Sequence, residues 1–576
     1  MLKCIRIVVS ASIFIIVSFV LFAFQSEQRP KKTLLSVDTV AVEGGLVKGV
    51  STDVKGVQVF KGIPFAGSTA GKNRWREPQS VESWQGVKLC NTWGDKATQD
   101  VNLNPVGTFW GYEFYFDESF NPKASENCLN LNLYTPATSV YDKLPVLVFI
   151  HGGANNHGHA SEMEFYASKL AAKGIIVVTV QYRLSMFGFL TLKELSKESP
   201  NGVSGNYAVL DLVKALQWVN KYISGFGGDP EAVTIAGQSA GAFNVTALLR
   251  TPLAKGLFIG AIIESGFDGL LSPKGENVYT PLVEKETNCE SAITKAFGNK
   301  MTLEELRAIP AEDYLTRMTK DGKQTLYDAI TSAALNEGSA YALDGYVFTD
   351  RSIDLLRPME LNGVNIMIGG TSDEMTSIVG GGNKTMSLND FDASMKEKYG
   401  VGYKEVYNPT NELEAYRLSL RSESDYAFQK YILSAEYVMT NNNQSNAYVY
   451  YFNHLPPGRN AEFYGAFHSS DLWYWFNSMR PIEGQRNWTD GDYEMANIMT
   501  SYCVNFVKSG DPNGKGLTKW LPCNAKNNAT FIRWFNGKAE NATQTLYPKR
   551  DMLNRKAVID DYGLSCAKTQ GIKDSN

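Results

Sequence analysis

The sequence predicts an α/β fold in which a mostly parallel central sheet is covered by helices on both faces. Short, almost continuously apolar segments alternate along the chain with longer segments of helical periodicity. Strands that are apolar throughout are typical of parallel sheets buried on both faces. No fixed-period repeat or Pro/Gly/Ser-rich linker divides the chain, so we expect a single domain over residues 37–565.

The predicted strands share apolar, largely β-branched side chains and are bounded by glycine, proline or polar residues. They are Leu144–Ile150, 174–181, 232–236, 261–265 and 363–369. The predicted helices share apolar residues at intervals close to i, i+3, i+4 and i+7 or a run of good helix formers. They are 162–173, 206–224 and 240–249.

Composition excludes several classes of function. The 576 residues are 43% hydrophobic and carry a formal net charge of −4, with acidic and basic residues interspersed. The sequence has no basic patch of the kind that binds nucleic acid, and it has no Cys-x-x-Cys pair of the kind found in zinc ribbons and thioredoxin-like sites. We therefore infer no nucleic-acid partner, no metal, no cofactor and no obligatory protein partner.

The N-terminus has the order of a secretory signal. Lys3 and Arg6 precede an uncharged, mostly apolar stretch over 7–24, and polar residues follow. The stretch is long for a signal, and at ~1.5 Å rise per residue it is close to the thickness of a bilayer core. Residues 1–25 are therefore interpreted as a signal peptide or a retained N-terminal anchor. Both interpretations predict an exported protein, secreted, periplasmic or held at the membrane.

The pentapeptide Gly237-Gln238-Ser239-Ala240-Gly241 is the strongest candidate for chemistry. A Gly-x-Ser-x-Gly sequence between a strand and a helix forms a nucleophile elbow, which presents the serine hydroxyl on a sharp, strained turn. The predicted strand before it and the predicted helix after it supply that context. The alternative is a glycine-serine turn on the surface, because a short motif of this kind also arises by chance.

A serine nucleophile needs a base, and the base needs an orienting group. The chain has only five histidines: His151, His157, His159, His454 and His468. His468 follows the elbow in a stretch of small and polar residues, whereas His454 closes an aromatic segment and is interpreted as structural. In the fold that uses this elbow, the three catalytic residues follow one another along the chain in the order serine, acid, histidine. Asp373 and Glu374, just past the predicted strand 363–369, are the candidate acids.

Further segments, in order along the chain, make the sequence similar to a known family. They are 57–66, 125–132, 151–154, 182–184, 187–189, 205–207, 215–219, 226–230, the elbow, the His468 segment and 505–514. With these segments the chain resembles the type-B carboxylesterase family, the carboxylesterase and cholinesterase group of α/β-hydrolases. Within that family it is most similar to bacterial esterases of the para-nitrobenzyl type.

The resemblance implies an α/β-hydrolase fold and a serine hydrolase that cleaves carboxylic esters through an acyl-enzyme. It places the nucleophile at Ser239, the acid at Glu374 and the base at His468. It assigns the oxyanion hole to the backbone N–H groups of Gly153, Ala154 and Ala240. The spacing of His151, His157 and His159 also permits a metal site, but no set of acidic ligands accompanies them.

Several residues depart from the family pattern that the resemblance implies. Met375 follows the acid where the family usually has glycine, which leaves Asp373 as a rival to Glu374. Asn127 replaces a usual aspartate. Ala97 stands where many relatives have the cysteine that pairs with the one at Cys128, so the family disulfide is in question, and Cys90 is the nearest substitute. Bridges or isolated thiols both remain open for the other cysteines, Cys289, Cys503, Cys523 and Cys566.

The substrate is not fixed by the sequence. Aromatic residues cluster before and after the candidate site, at 109–116 and 473–476, and they are suited equally to an apolar substrate pocket and to the core. The expected substrate is a small-molecule ester. The alternatives are a lipase acting on longer-chain esters and a relative that binds without catalysis, although the latter would not need Ser239, Glu374 and His468.

Overall fold

The computed structural model describes residues 37–564 apart from 101–107, 268–269, 272–278, 336–339, 350–360, 362, 380–383, 442–443, 482–485 and 524–530. Its strands are β1 (Thr39–Val42), β2 (Gly45–Lys48), β3 (Val50–Ser51), β4 (Gln58–Pro64), β5 (Val87–Leu89), β6 (Lys96–Ala97), β7 (Ala124–Ser125), β8 (Asn130–Thr135), β9 (Leu144–Ile150), β10 (Ile176–Val180), β11 (Gly228–Gln238), β12 (Gly260–Glu264), β13 (Thr280–Pro281), β14 (Ala342–Leu343), β15 (Asn365–Thr371), β16 (Ala447–Phe452), β17 (Phe531–Phe535) and β18 (Lys538–Ala542).

The helices connect and cover these strands. They are α1 (Phe109–Phe114), α2 (Ser168–Ala171), α3 (Ser185–Phe189), α4 (Lys193–Glu198), α5 (Tyr207–Tyr222), α6 (Ala240–Arg250), α7 (Leu282–Phe297), α8 (Leu303–Ala308), α9 (Ala311–Thr316), α10 (Leu326–Leu335), α11 (Met375–Ile378), α12 (Leu388–Tyr399), α13 (Glu412–Asn441), α14 (Ala461–Tyr464), α15 (Leu472–Trp475), α16 (Asp490–Ser509) and α17 (Pro548–Tyr562).

An eleven-stranded sheet is the centre of the fold, in the order β18-β17-β16-β15-β12-β11-β9-β10-β8-β4-β3. The strands from β10 to β17 in this order pair in parallel, and antiparallel strands complete the two edges. The predicted mostly parallel sheet is confirmed. Because parallel strands end at one edge of the sheet, the loops after β9, β11 and β15 lie side by side.

Both faces of the sheet are covered by hydrophobic side chains. In β9, Val146, Val148 and Ile150 belong to one buried cluster, and the alternating Leu147 and Phe149 belong to another. Successive side chains of a strand point to opposite faces. Because both faces of β9 are buried, neither carries polar side chains, as expected for a strand of a parallel sheet covered on both sides.

Most predicted elements lie where the sequence placed them. The strand Leu144–Ile150 matches β9 at both ends, and the helix predicted over 206–224 is α5. The strand and helix predicted on either side of the elbow, 232–236 and 240–249, are β11 and α6. The later predicted strands, 261–265 and 363–369, are β12 and β15.

The helix predicted over 162–173 is wrong. The segment contains a 3-10 turn at Met163–Phe165 and the single helical turn α2. Tertiary contacts override the periodicity here: Met163 and Phe165 are buried in the core, and the carboxylate of Glu162 accepts the N–H of His159 at 3.0 Å. The apolar spacing that predicted a helix comes instead from side chains of a loop that is buried in the core.

Cysteines of the described residues are buried. Cys90, Cys128, Cys289 and Cys503 carry free thiols, so no disulfide links Cys90 to Cys128. Burial raises the pKa of the Cys90 thiol to about 11, which keeps it protonated and unreactive.

Cys566 and the N-terminal segment 1–25 lie outside the described residues. Within 37–564 as described, no helix combines the length and the hydropathy needed to cross a bilayer.

A buried ion pair fixes helix α5 against the loop after β10. The guanidinium of Arg183 donates to both carboxylate oxygens of Asp211, at 2.7 and 2.8 Å, and both side chains are almost fully buried. A third guanidinium nitrogen, Nη1, donates to the carbonyl of Arg76 at 2.8 Å, so all three nitrogens of Arg183 take part in hydrogen bonds.

We expect Asp211→Ala to lower the free energy of unfolding by about 3–5 kcal/mol, because it leaves the buried Arg183 cation without its partner. Denaturant titration followed by circular dichroism measures this. The matched control is Glu290→Ala, which breaks an exposed pair with Lys193 and should change stability little. Equal effects of the two substitutions would contradict the importance of the buried pair.

Candidate active site

Ser239 lies on a sharp turn between β11 and α6. Its backbone has φ 56° and ψ −123°, a region that costs a non-glycine residue energy and that persists only where the surroundings enforce it. The Ser239 N–H donates to the carbonyl of Glu264 at 2.9 Å, which ties the turn to the neighbouring strand β12. The predicted strand-turn-helix geometry of the elbow is confirmed.

Close packing explains the two glycines of the elbow. A Cβ on Gly241 would overlap the carbonyl oxygen of Ile150, and a Cβ on Gly237 would overlap the carbonyl of Gly241. The start of α6 therefore lies directly against the ends of β9 and β11. No side chain fits at either glycine without moving the backbone.

Glu374 and His468 form a buried hydrogen-bonded pair. His468 Nδ1 lies 2.6 Å from Glu374 Oε2, and the other carboxylate oxygen of Glu374 accepts the N–H of Thr371 at 2.8 Å. Acceptance by a carboxylate assigns the proton of the neutral imidazole to Nδ1, so that Nε2 is the acceptor. The ring of Phe267 stacks on His468 with centroids 5.2 Å apart and holds its plane.

Asp373 is held in a different network. It forms an ion pair with Arg421, and its Oδ2 accepts the hydroxyl of Ser372 at 2.5 Å and the N–H of Ala466 at 3.1 Å. Of the two predicted acids, Glu374 is the one that contacts His468. Met375 is the first residue of helix α11, so the backbone after Glu374 is right-handed and needs no glycine.

The hydrogen bond to His468 Nε2 comes from Gln238. The Gln238 side-chain nitrogen lies 3.2 Å from Nε2, while the Ser239 hydroxyl lines the same cavity without bonding to His468 in this arrangement. Catalytic hydrogen bonds of unliganded enzymes are often long and tighten with substrate. The amide of Gln238 therefore competes with Ser239 for the basic nitrogen.

The three residues predicted to supply the oxyanion hole line the cavity that also holds Ser239. Gly153 and Ala154 follow β9 and both have positive φ, 98° and 54°. In this turn the Gly153 carbonyl accepts the N–H groups of Asn156 and His157, each at 2.9 Å. Ala240 is the first residue of α6, where the N–H groups have no partner within the helix.

Three of the other histidines have structural contacts, and the fourth, His157, lines the cavity. His151 stacks on Tyr182 and His159 Nδ1 lies 3.1 Å from the hydroxyl of Ser161. Burial lowers the pKa of His151 to about 3 and of His157 to about 4, so both are neutral. The described residues contain no group of three His, Cys, Asp or Glu side chains arranged to hold a metal ion. His454 pairs with Asp492 at 2.8 Å, in keeping with its interpretation as structural.

Two further carboxyl groups lie behind the pair. Burial, and then the nearby Glu374, raise the pKa of Asp471 to about 7. Burial, and then Asp471, raise the pKa of Glu264 well above its usual range. Burial thus disfavours the charged forms of both groups, whereas Glu374 contacts His468 directly and can stabilise its charged form.

The cavity above Ser239 has a volume of about 470 Å³ and a mostly apolar wall. From the aromatic segment 109–116, Trp110, Phe114 and Tyr115 line it. The second aromatic segment is core, because residues Trp473–Phe476 are almost fully buried and only Leu472 just before them reaches the cavity. The two aromatic segments thus have different roles, which composition alone did not separate.

Sequence reasoning missed three polar residues of this cavity. Gln238 was inside the motif, but its contact with His468 was not foreseen. Glu162 and Glu164 line the wall and were placed on a helix that does not form. Charged residues flanking Met163 in an otherwise apolar stretch were the available signal.

A serine on a strained elbow, a histidine bonded to a carboxylate and a loop of small residues in the same cavity are the features of a serine hydrolase of the α/β-hydrolase fold. Comparison with known proteins agrees. The chain belongs to the carboxylesterase family, whose match covers residues 36–550. This membership makes the protein a carboxylic ester hydrolase that acts on small-molecule esters.

The relatives include bacterial and animal esterases. The para-nitrobenzyl esterase of Bacillus subtilis (strain 168) is 29% identical over 504 residues, which are 86% of this chain and 94% of that protein. Carboxylesterase 5A of Canis lupus familiaris is 31% identical over 509 residues, 83% of this chain and 82% of that protein. The solved structure of a thermophilic PNB esterase has a TM-score of 0.71 at 28% identity and covers 90% of this chain and 100% of its own.

We expect Gln238→Glu to move the acid limb of the pH profile of kcat/KM to higher pH by about one pH unit. A carboxylate 3.2 Å from Nε2 stabilises the imidazolium, which cannot act as a base, so activity is lost earlier as the pH falls. Initial rates on a soluble ester measure this between about pH 4 and 9, a range that extends well to either side of about 6.5, the usual pKa of a histidine side chain. Gln238→Met, which has similar volume and no charge, removes the amide donor without adding a carboxylate, so it should move the limb less than Gln238→Glu does. An equal shift in the two variants would contradict the electrostatic explanation.

Proposed function

We propose that Ser239, His468 and Glu374 act as nucleophile, base and orienting acid in the hydrolysis of dissolved carboxylic esters, with the N–H groups of Gly153, Ala154 and Ala240 as the oxyanion hole. The observation that carries the proposal is the 2.6 Å contact between His468 and Glu374 beside a serine held at positive φ in the same cavity.

The first half of the reaction forms an acyl-enzyme. An ester enters the cavity and its carbonyl carbon lies against the Ser239 hydroxyl. His468 turns its Nε2 from Gln238 to Ser239 and takes the hydroxyl proton as the oxygen attacks. The oxyanion is stabilised by the backbone N–H groups and by the N-terminal end of α6, whose dipole favours negative charge. His468 then gives the proton to the departing alcohol.

The second half repeats these steps with water. His468 takes a proton from a water molecule, the water oxygen attacks the acyl carbon, and the oxyanion again lies in the same hole. Collapse of this intermediate returns the proton to Ser239 and releases the carboxylic acid. Glu374 keeps the Nδ1–H tautomer in place throughout and stabilises the imidazolium by a charge-assisted hydrogen bond.

The substrate is proposed to be a small ester with an apolar or aromatic part. The wall of Trp110, Phe114 and Phe243 offers aromatic surface, and a cavity of about 470 Å³ accommodates a molecule of modest size. The names of the relatives include a para-nitrobenzyl esterase, which supports an ester with an aromatic ring in its alcohol part. A lipase acting on long chains is the second candidate from the sequence.

We also propose that residues 1–25 direct export, as a cleaved signal or a retained anchor, because basic residues precede the apolar stretch. Residues 37–565 are proposed to act as one domain. The reaction needs only the ester and water, so we propose that the enzyme works without a protein partner or cofactor.

We expect Ser239→Ala to abolish turnover of a short-chain para-nitrophenyl ester, because no other nucleophile replaces the hydroxyl. Labelling of the unmodified enzyme with a fluorophosphonate, followed by peptide mapping, should place the adduct on Ser239. An adduct on another residue would overturn the proposed nucleophile.

We expect Glu374→Gln to lower kcat on the order of 10³ to 10⁴, because the amide disfavours the required tautomer and removes the charge that stabilises the imidazolium. Asp373→Asn is the matched control, since Asp373 contacts Arg421 and not His468. It should retain most of kcat. A larger loss from Asp373→Asn than from Glu374→Gln would assign the acid to Asp373 instead.

Rates measured across the solubility limit of a long-chain ester distinguish esterase from lipase. We expect saturation on dissolved short-chain esters and no jump in rate when the long-chain ester forms an emulsion, because the catalytic serine lies in a cavity of limited volume. A rise in rate at the emulsion boundary would favour the lipase.

A further inference from the structure

We propose that a second cavity, separate from that of Ser239, binds an organic carboxylate with an apolar or aromatic body. The cavity has a volume of about 460 Å³ and lies between β4, α2 and the loop after α15. Three cations and three aromatic rings line it. They are Lys61, Lys169, Arg480, Trp93, Phe120 and Tyr166.

The second cavity is distinct from the catalytic one. Among the described residues, none lines both cavities. Two successive residues divide between them, since Phe165 lines the catalytic cavity and Tyr166 lines the second cavity. A ligand in the second cavity therefore leaves the place of the ester free, and the inference does not depend on the proposed role of Ser239.

Lys61 supplies the first cation. Its Nζ lies 4.0 Å from the centroid of the Trp93 ring, and Trp93 is itself fixed, because its indole N–H donates to the carbonyl of Ser119 at 3.0 Å. Within the described part of the chain, the Lys61 ammonium forms no ion pair and no hydrogen bond. The ring face attracts the ammonium but leaves its three N–H donors for an anion.

Arg480 supplies the second cation. The central carbon of its guanidinium lies 4.3 Å from the centroid of the Phe120 ring and 5.1 Å from that of Tyr166. Its ion-pair partner Asp117 lies at 3.8 Å, which is too far for a hydrogen bond. The guanidinium thus keeps its fork of N–H donors for a ligand, and this fork matches the two oxygens of a carboxylate.

The two cations act on the same space. The rings that carry them are neighbours, since the centroids of Trp93 and Phe120 are 5.7 Å apart. Burial, and then the charge of Arg480, lower the pKa of Lys61. An anion between the two cations would relieve this repulsion, because an opposite charge nearby stabilises the charged form of each group.

The remaining charges of the lining keep the cavity positive. Lys169 adds a third cation, and the carboxylate that lines the cavity belongs to Asp53, which is exposed. The whole chain has a formal net charge of −4. The excess of positive charge is therefore local to this cavity, where it attracts anions and repels cations.

The size and the walls of the cavity indicate an organic anion. A volume of about 460 Å³ is typical of cavities that hold small organic molecules. The aromatic rings and the buried Met479 offer apolar surface, which a carboxylate with an aromatic body would cover. Ester hydrolysis releases carboxylic acids, so the reaction of this enzyme itself supplies compounds of this class.

The test is isothermal titration calorimetry with benzoate, on enzyme whose catalytic cavity has been blocked with a fluorophosphonate. We expect one saturable site. Lys61→Met and Arg480→Met should each weaken binding at least about tenfold, because each removes a charge-assisted contact with the carboxylate. Lys61→Arg keeps the charge and should retain most of the affinity. Lys255→Met, at an exposed lysine outside the cavity, should bind like the unmodified enzyme.

Four results of the calorimetry would overturn the inference. Two of them are the absence of saturable binding and a binding constant that neither Lys61→Met nor Arg480→Met changes. Benzyl alcohol that binds as tightly as benzoate would contradict the role of the charges. Inorganic phosphate that binds as tightly as benzoate would contradict the organic body of the ligand.

Crystals of the untreated, unmodified enzyme soaked with 4-bromobenzoate locate the ligand directly. We expect the anomalous signal of bromine in the second cavity, with the carboxylate towards Lys61 and Arg480. Bromine in the catalytic cavity alone, or in neither cavity, would overturn the inference. This measurement decides the outcome even if a variant does not fold, and it does so whether or not the fluorophosphonate labels Ser239.

Discussion

The strained backbone of Ser239 is the constraint on which the site depends. A residue at φ 56° remains there only because β11, α6 and the end of β9 leave no room for another path. The glycines on either side permit that approach, and the N–H of Ser239 is bonded to the next strand. The elbow therefore fixes the position of the hydroxyl relative to the sheet edge.

The parallel sheet brings the other groups to the same edge. The loop after β9 supplies Gly153 and Ala154, the turn after β15 supplies Glu374, and the chain beyond β16 supplies His468. These residues are distant in sequence, but the strands that precede them are near neighbours in the sheet. Parallel strands with a common direction thus explain how one edge collects a serine, a carboxylate and a histidine.

Burial of carboxyl groups sets the electrostatics of the cavity. Glu264 and Asp471 behind the pair, and Glu164 in the wall, all have raised pKa values because burial disfavours their charged forms. Glu162 keeps its donors close. A site rich in acidic residues is in this way less negative than its sequence suggests, which suits a reaction that develops negative charge on the substrate oxygen.

The sequence by itself predicted the alternation of strands and helices and the elbow, and it proposed His468 as the base, because apolar periodicity and scarce residue types are local or countable properties. It did not decide between Asp373 and Glu374, which are adjacent; only the position of Arg421 and His468 around them separated the two. The helix predicted over 162–173 is wrong, and the contact between Gln238 and His468 was not predicted, since both depend on contacts between distant segments. Tertiary structure decided these points because a side chain's partners are set by packing and not by its neighbours in the chain.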